Sequence, residues 1–287
     1  MESMANATAC ALNKLLNRFD HYKSLNGEDQ MLLPTLISAA ARGERGTFVE
    51  LGAFTGEHSN TAVLERCFGW SGLLIEANPI NFAKLRLADR PRSHKVHSAV
   101  CNKTTAGSHN NSVEFTISGG TVAGQVDMLS EKHQQSWGHL NHASKTVRVP
   151  CQTLRHILAD NGLKDGATFL SLDVEGAEEL VLSTIRPSMF KVIMVETDAS
   201  DKGKDERVRQ LLRDAGMRFQ QTLTRQIWNS SAVFIRDDVK AYPLPQNWTM
   251  QARLPGRVRW SSHVSASAMA GLLTRVAQGE PIHEPIS

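Results

Sequence analysis

The chain has 287 residues, 32 of them basic and 29 acidic, for a formal charge of +3. That near-balance speaks against nucleic acid or an anionic membrane surface as the main partner. A hydrophobic fraction of 41% suits one large globular domain with extensions, and no apolar run reaches the roughly 20 residues a membrane helix needs.

Residues 1–46 form a first, helical segment. Asn6-Ala-Thr-Ala-Cys10 has no basic lead and no clear apolar core, so a cytoplasmic protein without a secretory leader is expected. Asp29–Ala41 predicts a helix, with Leu32, Leu33, Leu36 and Ile37 at helical spacing. The main domain, 47–240, then alternates strand and helix, the pattern of a parallel sheet covered by helices. Thr47–Leu51 reads as a strand, Ser59–Phe68 as a helix and Leu73–Glu76 as a strand. Pro79–Ala88 follows as a helix with proline in its first turn, and His94–Cys101 as a strand.

An insert at about 102–146 breaks this rhythm. Asn102–Asn111 is polar, Val113–Ser118 predicts an extra strand, and Gly119–Ser144 is irregular, with His133, His139 and His142 at spacings that do not suit zinc. Long irregular segments in compact domains tend to be functional, so the insert is expected to cover a substrate. Trp137 is its candidate for stacking on a sugar, whereas Trp70 reads as packing.

Val147–Gln152 reads as extended and Thr153–Asp160 as a short helix. Thr168–Val174 and Lys191–Val195 are buried strands, and Ala177–Thr184 and Asp205–Ala215 are helices. Met217–Leu223 and Ala232–Ile235 form a closing antiparallel pair, because no crossover helix fits between them. From 241 to 287 the composition shifts to a proline- and tryptophan-bearing arm with a final helix over Ser265–Ala277, which could wrap the core, lid the site or join two copies in a homodimer. Cys10, Cys67, Cys101 and Cys151 lie far apart with no C-x-x-C spacing. They read as reduced, packed thiols, neither a disulfide framework nor a zinc site.

Three ordered segments carry the chemistry. Phe48-Val-Glu50-Leu-Gly52-Ala-Phe-Thr-Gly56 runs from a strand into a glycine turn, and Gly72-Leu-Leu-Ile-Glu76 ends a second strand on an acid. Phe169-Leu-Ser-Leu-Asp173-Val-Glu175-Gly-Ala-Glu178 ends a third on two acids. Together with Ser59-Asn60-Thr61 and Val192-Ile-Met-Val-Glu196, these segments resemble the FkbM family of S-adenosylmethionine-dependent methyltransferases over roughly residues 29–236. Many members carry lysine where this chain has Ser171. The resemblance implies an α/β, Rossmann-like class I methyltransferase fold: a seven-stranded, mostly parallel sheet with helices on both faces, here with a C-terminal extension. It also implies methyl transfer to a hydroxyl of a small molecule or glycan.

The residues fit that expectation. The glycine spacing differs from that of dinucleotide sites, where a pyrophosphate sits on a helix N-terminus. S-adenosylmethionine instead offers one carboxylate, which free N–H groups around Gly52–Gly56 would meet while Glu50 answers its ammonium. Glu76 would accept bonds from both ribose hydroxyls, and an acid ending an apolar strand is otherwise poorly placed for packing. Its other reading is a charge complementing the following helix. Ser98 and Ala99 would meet the adenine edge. The cofactor set is then Glu50, Gly52, Ala53, Gly56, Ser59, Asn60, Glu76, Ala77, Asn78, Ser98, Ala99 and Asp173.

Asp173, Glu175 and Glu196 are the catalytic set, one of them taking the acceptor's proton. Asp173 and Glu175 would share a face if the chain stayed extended, and helix capping is their alternative role. With Glu196 and Asp198 they could also hold a divalent ion, although no metal is assigned. His58 is an alternative base. N-methylation, a nicotinamide oxidoreductase on a similar sheet and a non-catalytic scaffold remain the rival readings.

Overall fold

The computed structural model describes residues 24, 27–40, 45–102, 111–117, 123–129, 146–197, 201–226 and 229–241, with Cys10, Gly271, Leu273 and Arg275. Seven strands form the main sheet in the order β3-β2-β1-β7-β8-β10-β9. They are β1 (Thr47–Leu51), β2 (Ser71–Glu76), β3 (Ser93–His97), β7 (Ala167–Leu172), β8 (Phe190–Glu196), β9 (Met217–Gln226) and β10 (Asn229–Arg236). The pairs β1–β2, β2–β3, β1–β7 and β7–β8 are parallel, and β10 runs antiparallel to both β8 and β9. The expected α/β sheet with a closing hairpin is therefore present.

The central strands are buried on both faces, which explains their near-continuous apolar runs. One face carries Phe48, Leu74, Phe169 and Met194 and packs on Leu32, Leu33 and Leu36 of the N-terminal helix Glu28–Ala39. The other carries Val49, Leu73, Leu170 and Ile193 under the helices Leu154–Asp160, Glu178–Ser183 and Lys202–Asp214. Leu273, helical in the C-terminal segment, is buried in the first of these cores. No helix among the described residues is long and apolar enough to cross a membrane.

Two expectations need correction. The strand expected over His94–Cys101 is broken at Ser98: β3 stays in the main sheet, and β4 (Ala99–Val100) leaves it for a second sheet. There β4 pairs parallel with β6 (Thr146–Gln152), which pairs antiparallel with β5 (Ser112–Thr116). Alternation alone cannot reveal this change of partner, because both halves keep period two. The cysteines are also not free thiols. Cys10 is bonded to Cys67 and Cys101 to Cys151, with Cα atoms 5.5 and 5.7 Å apart, inside the range a disulfide spans. The partners lie 57 and 50 residues apart in the chain, so only the fold brings them together.

The expected features at His133, Trp137, His139, His142, Asp198 and residues 242–270 lie outside the described residues.

Candidate functional site

Glu76 ends β2 with its side chain 6% exposed. The Phe54 N–H donates to its Oε2 at 2.8 Å and the Asn78 N–H to its Oε1 at 2.7 Å. Asn78 in turn caps the helix Pro79–Leu85, its side-chain oxygen accepting the Ile80 N–H at 2.9 Å. Burial pushes the Glu76 carboxyl up to about 7, against the pull of these N–H donors, and the charge of Asp173 adds to the rise.

The folded protein thus keeps a proton that the unfolded chain releases. Its contribution is most favourable below the ordinary glutamate value of 4.5, declines as pH rises to about 7, and is level above that. The loss is on the order of 3 kcal/mol for a shift of this size. Denaturant titrations of the unliganded protein at pH 5 and pH 8 should show this slope, and Glu76→Gln should flatten it. The same substitution replaces one acceptor oxygen by a donor and should weaken a ribose-bearing ligand by about 10–100-fold, read by calorimetry.

The glycine turn is built around β1. Gly52 has φ +76°, and a Cβ there would collide with the Asp173 carbonyl oxygen. Gly52→Ala should therefore push the two turns apart, costing about 1–3 kcal/mol in a denaturant titration and abolishing cofactor binding. The expectation of free N–H groups along this turn needs correction. The Gly52 and Ala53 N–H groups both donate to the Ile75 carbonyl at 3.1 Å, the Gly56 N–H donates to the Ala53 carbonyl at 2.9 Å, and the Phe54 N–H is taken by Glu76. The turn closes on β2, which consumes these donors.

Glu50, 3% exposed, holds the next stretch. Its Oε1 accepts the Asn60 N–H at 2.8 Å, and its Oε2 accepts the hydroxyls of Ser59 and Thr61 at 2.7 and 2.6 Å. Behind these hydroxyls lies Arg90, which sequence reasoning missed. Its guanidinium donates to Ser59 Oγ and Thr61 Oγ1, both at 2.8 Å, and pairs with the buried Glu65. Arginine beside proline in a polar stretch carries no pattern that marks it as buried.

The third turn follows β7. The strand ends at Leu172 and Glu175 takes φ +55°, so Asp173 and Glu175 do not meet across an extended pleat. A turn gathers them instead. Oxygens of Asp173, Glu175 and Glu196 lie within 4.8 Å of one another. Burial, then the charges of Asp173 and Glu175, hold the Glu196 carboxyl well above its ordinary range, and a side-chain hydrogen bond joins it to Asp173. The helix Glu178–Ser183 has no side-chain bond at its N-cap Ala177, so the capping alternative is not realised, and Glu178 instead braces the turn before it. Its Oε1 accepts the N–H groups of Val174 and Gly176 at 3.2 and 3.1 Å, and its Oε2 pairs with Lys204 at 2.6 Å. Three close carboxylate oxygens can share a proton or receive a hard cation.

One cavity touches all three turns. Glu50, Gly52, Asn60, Glu76, Ala77, Ser98, Ala99, Asp173 and Glu175 line it. His58, exposed and stacked on Phe54 at 6.3 Å between ring centroids, also lines it. Ala53, Gly56, Ser59 and Asn78 stand behind the wall and support it, and Glu196 reaches it through Asp173. Ser171 lies in the cavity wall, its hydroxyl accepting the Asn60 amide at 3.0 Å.

Comparison with known proteins adds a family. A family model described as the methyltransferase FkbM domain matches residues 46–219. A search of curated proteins finds no match. Among solved structures, fibrillarin from Aeropyrum pernix, described in complex with natively bound S-adenosyl-L-methionine, is 12% identical at a TM-score of 0.38, covering 71% of this chain and 74% of that one. The precorrin-6y C5,15-methyltransferase of Geobacter metallireducens is 10% identical at a TM-score of 0.39, covering 72% and 88%. A human methyltransferase 10 domain containing protein is 9% identical at a TM-score of 0.41, covering 73% and 81%. Likenesses this distant carry no argument about the reaction.

Proposed function

Because the chain belongs to the FkbM methyltransferase domain family, we propose that its S-adenosylmethionine-dependent transfer is directed to a hydroxyl oxygen of a small molecule or glycan. The observation that carries this reading is the single cavity joining Glu76, the glycine turn and the acid turn. Glu76 accepts the two ribose hydroxyls. The glycine turn and Asn60 face the methionine end, whose ammonium is drawn to Glu50. Ser98 and Ala99 border the base.

S-adenosylmethionine held in this cavity would supply an electrophilic methyl group to the acceptor oxygen and would leave as S-adenosylhomocysteine. The hydroxyl proton passes to Asp173, the exposed member of the acid cluster, which shares a side-chain hydrogen bond with Glu196. Glu175 completes the rim. Most of the acceleration comes from holding oxygen, carbon and sulfur in line away from water, and proton removal adds about 10²–10⁴-fold.

The test is release of S-adenosylhomocysteine by purified protein given methyl-labelled cofactor and matched panels of hydroxyl and amine acceptors. Label on a hydroxyl compound supports the proposal. Label on amines alone moves the protein to N-methylation, and no release with cofactor bound makes it a scaffold.

Disulfides persist in oxidising compartments. The two bonds here therefore remove the support that unpaired thiols gave to a cytoplasmic protein. The arm through which a homodimer was expected to form lies outside the described residues.

A further inference from the structure

Gln125 is 4% exposed and lines the cavity, and its side-chain amide makes no hydrogen bond to any described residue. The amide is not sealed off with its bonds unmade; it keeps access to the cavity, where a ligand can take up both its donor and its acceptor. Backbone contacts fix the residue. Phe115 and Gln125 form an antiparallel bridge, the Thr116 N–H donates to the Gly124 carbonyl at 3.0 Å, and the Met128 N–H donates to the Gln125 carbonyl at 3.0 Å.

The surroundings say what the amide faces. Ala77, which follows the ribose acid Glu76, packs with Ala99, Phe115 and Ala123 in one apolar cluster of the small sheet. The cavity thus continues past Glu76 into an apolar slot. Ser98, the hydroxyl expected at its edge, already donates to the Ala99 carbonyl at 2.7 Å. An apolar slot beside a ribose site suits a purine face. The polar group left within it offers an N–H donor and a carbonyl acceptor in one plane. Adenine presents the complementary pair, its 6-amino group as donor and a ring nitrogen as acceptor, which is the pairing that makes glutamine an adenine reader elsewhere.

We propose that Gln125 determines cofactor specificity by pairing its amide with the 6-amino group and an adjacent ring nitrogen of adenine. The assignment rests on the cofactor reading above. It makes part of the insert at about 102–146 a wall of the cofactor site, in addition to any cover it gives the acceptor.

The test is a double-mutant cycle by calorimetry. Wild type and Gln125→Met, which keeps the side-chain volume, are each titrated with S-adenosylhomocysteine and with its analogue carrying unsubstituted purine in place of adenine. Wild type should bind the natural compound about 10-fold more tightly than the analogue, and Gln125→Met should bind both about equally. A variant that keeps the wild-type preference overturns the proposal, as does one that binds both ligands normally but raises the acceptor KM, because the amide then serves the acceptor. Should Gln125→Met not fold, the wild-type comparison decides: equal affinity for the two ligands overturns the proposal. Wild type that binds neither ligand sinks the cofactor reading itself, an outcome distinct from the others.

Discussion

Asp173→Asn should lower turnover by about 10²–10⁴-fold, a far larger effect than on S-adenosylhomocysteine binding. The substitution keeps the shape of the side chain and removes the negative charge proposed to take the acceptor's proton. Of the three clustered acids, Asp173 is the exposed one, it lines the cavity with Glu175, and the carboxyl of its hydrogen-bonded partner Glu196 is raised well above the ordinary range by burial first and by Asp173 and Glu175 next. Removing the Asp173 charge relieves Glu196, whose carboxyl should fall toward its ordinary value, and it also removes one cause of the raised Glu76 value. The pH–rate profile of the variant should therefore shift as well as shrink. Single-turnover rates set against separately measured binding constants check this, and turnover within a few-fold of wild type would remove Asp173 from the role of base.

Arg90→Met should cost about 3–5 kcal/mol of folding stability, because it leaves Glu65 buried without its counter-charge. Arg90 is 2% exposed and Glu65 3%, so water cannot take over. Glu65 would keep the Arg92 N–H and the Ser93 hydroxyl, both at 2.6 Å, but no cation. The same change withdraws two donors from Ser59 and Thr61, the hydroxyls that hold Glu50. Cofactor affinity should thus fall together with stability. Denaturant midpoints for Arg90→Met, Glu65→Gln and the double variant check the argument. The double variant should be less destabilised than the sum of the singles, since it carries neither charge. Strict additivity would mean that the pair is not coupled.

The backbone plan was legible because it follows from period and punctuation. Strands β1, β2, β7 and β8 are apolar runs bounded by turns, and the closing hairpin follows from the short link between β9 and β10. The position of Glu76 was legible as an acid ending an apolar strand, and the structure sets it in the cavity wall. Asp173 and Glu175 were readable as a pair, although a turn rather than the pleat brings them together. The small sheet was half readable: the strands at Val113–Ser118 and Val147–Gln152 show in the pattern, but the departure of Ala99–Val100 to join them does not.

Several features depended on contacts between distant segments. Arg90 reaches Ser59, Thr61 and Glu65 from about 25 to 31 residues away, and Lys204 reaches Glu178 across 26. The disulfides and the unpaired amide of Gln125 have no local signature either. By itself the sequence determined the strand and helix order, the family and the acids at three strand ends, because each is written in spacing along one segment. Tertiary structure alone decided which N–H groups the glycine turn keeps for itself, which thiols pair and which buried charges support the site. Such partners are chosen by proximity in the folded chain, and burial sets their energy only once water has been excluded.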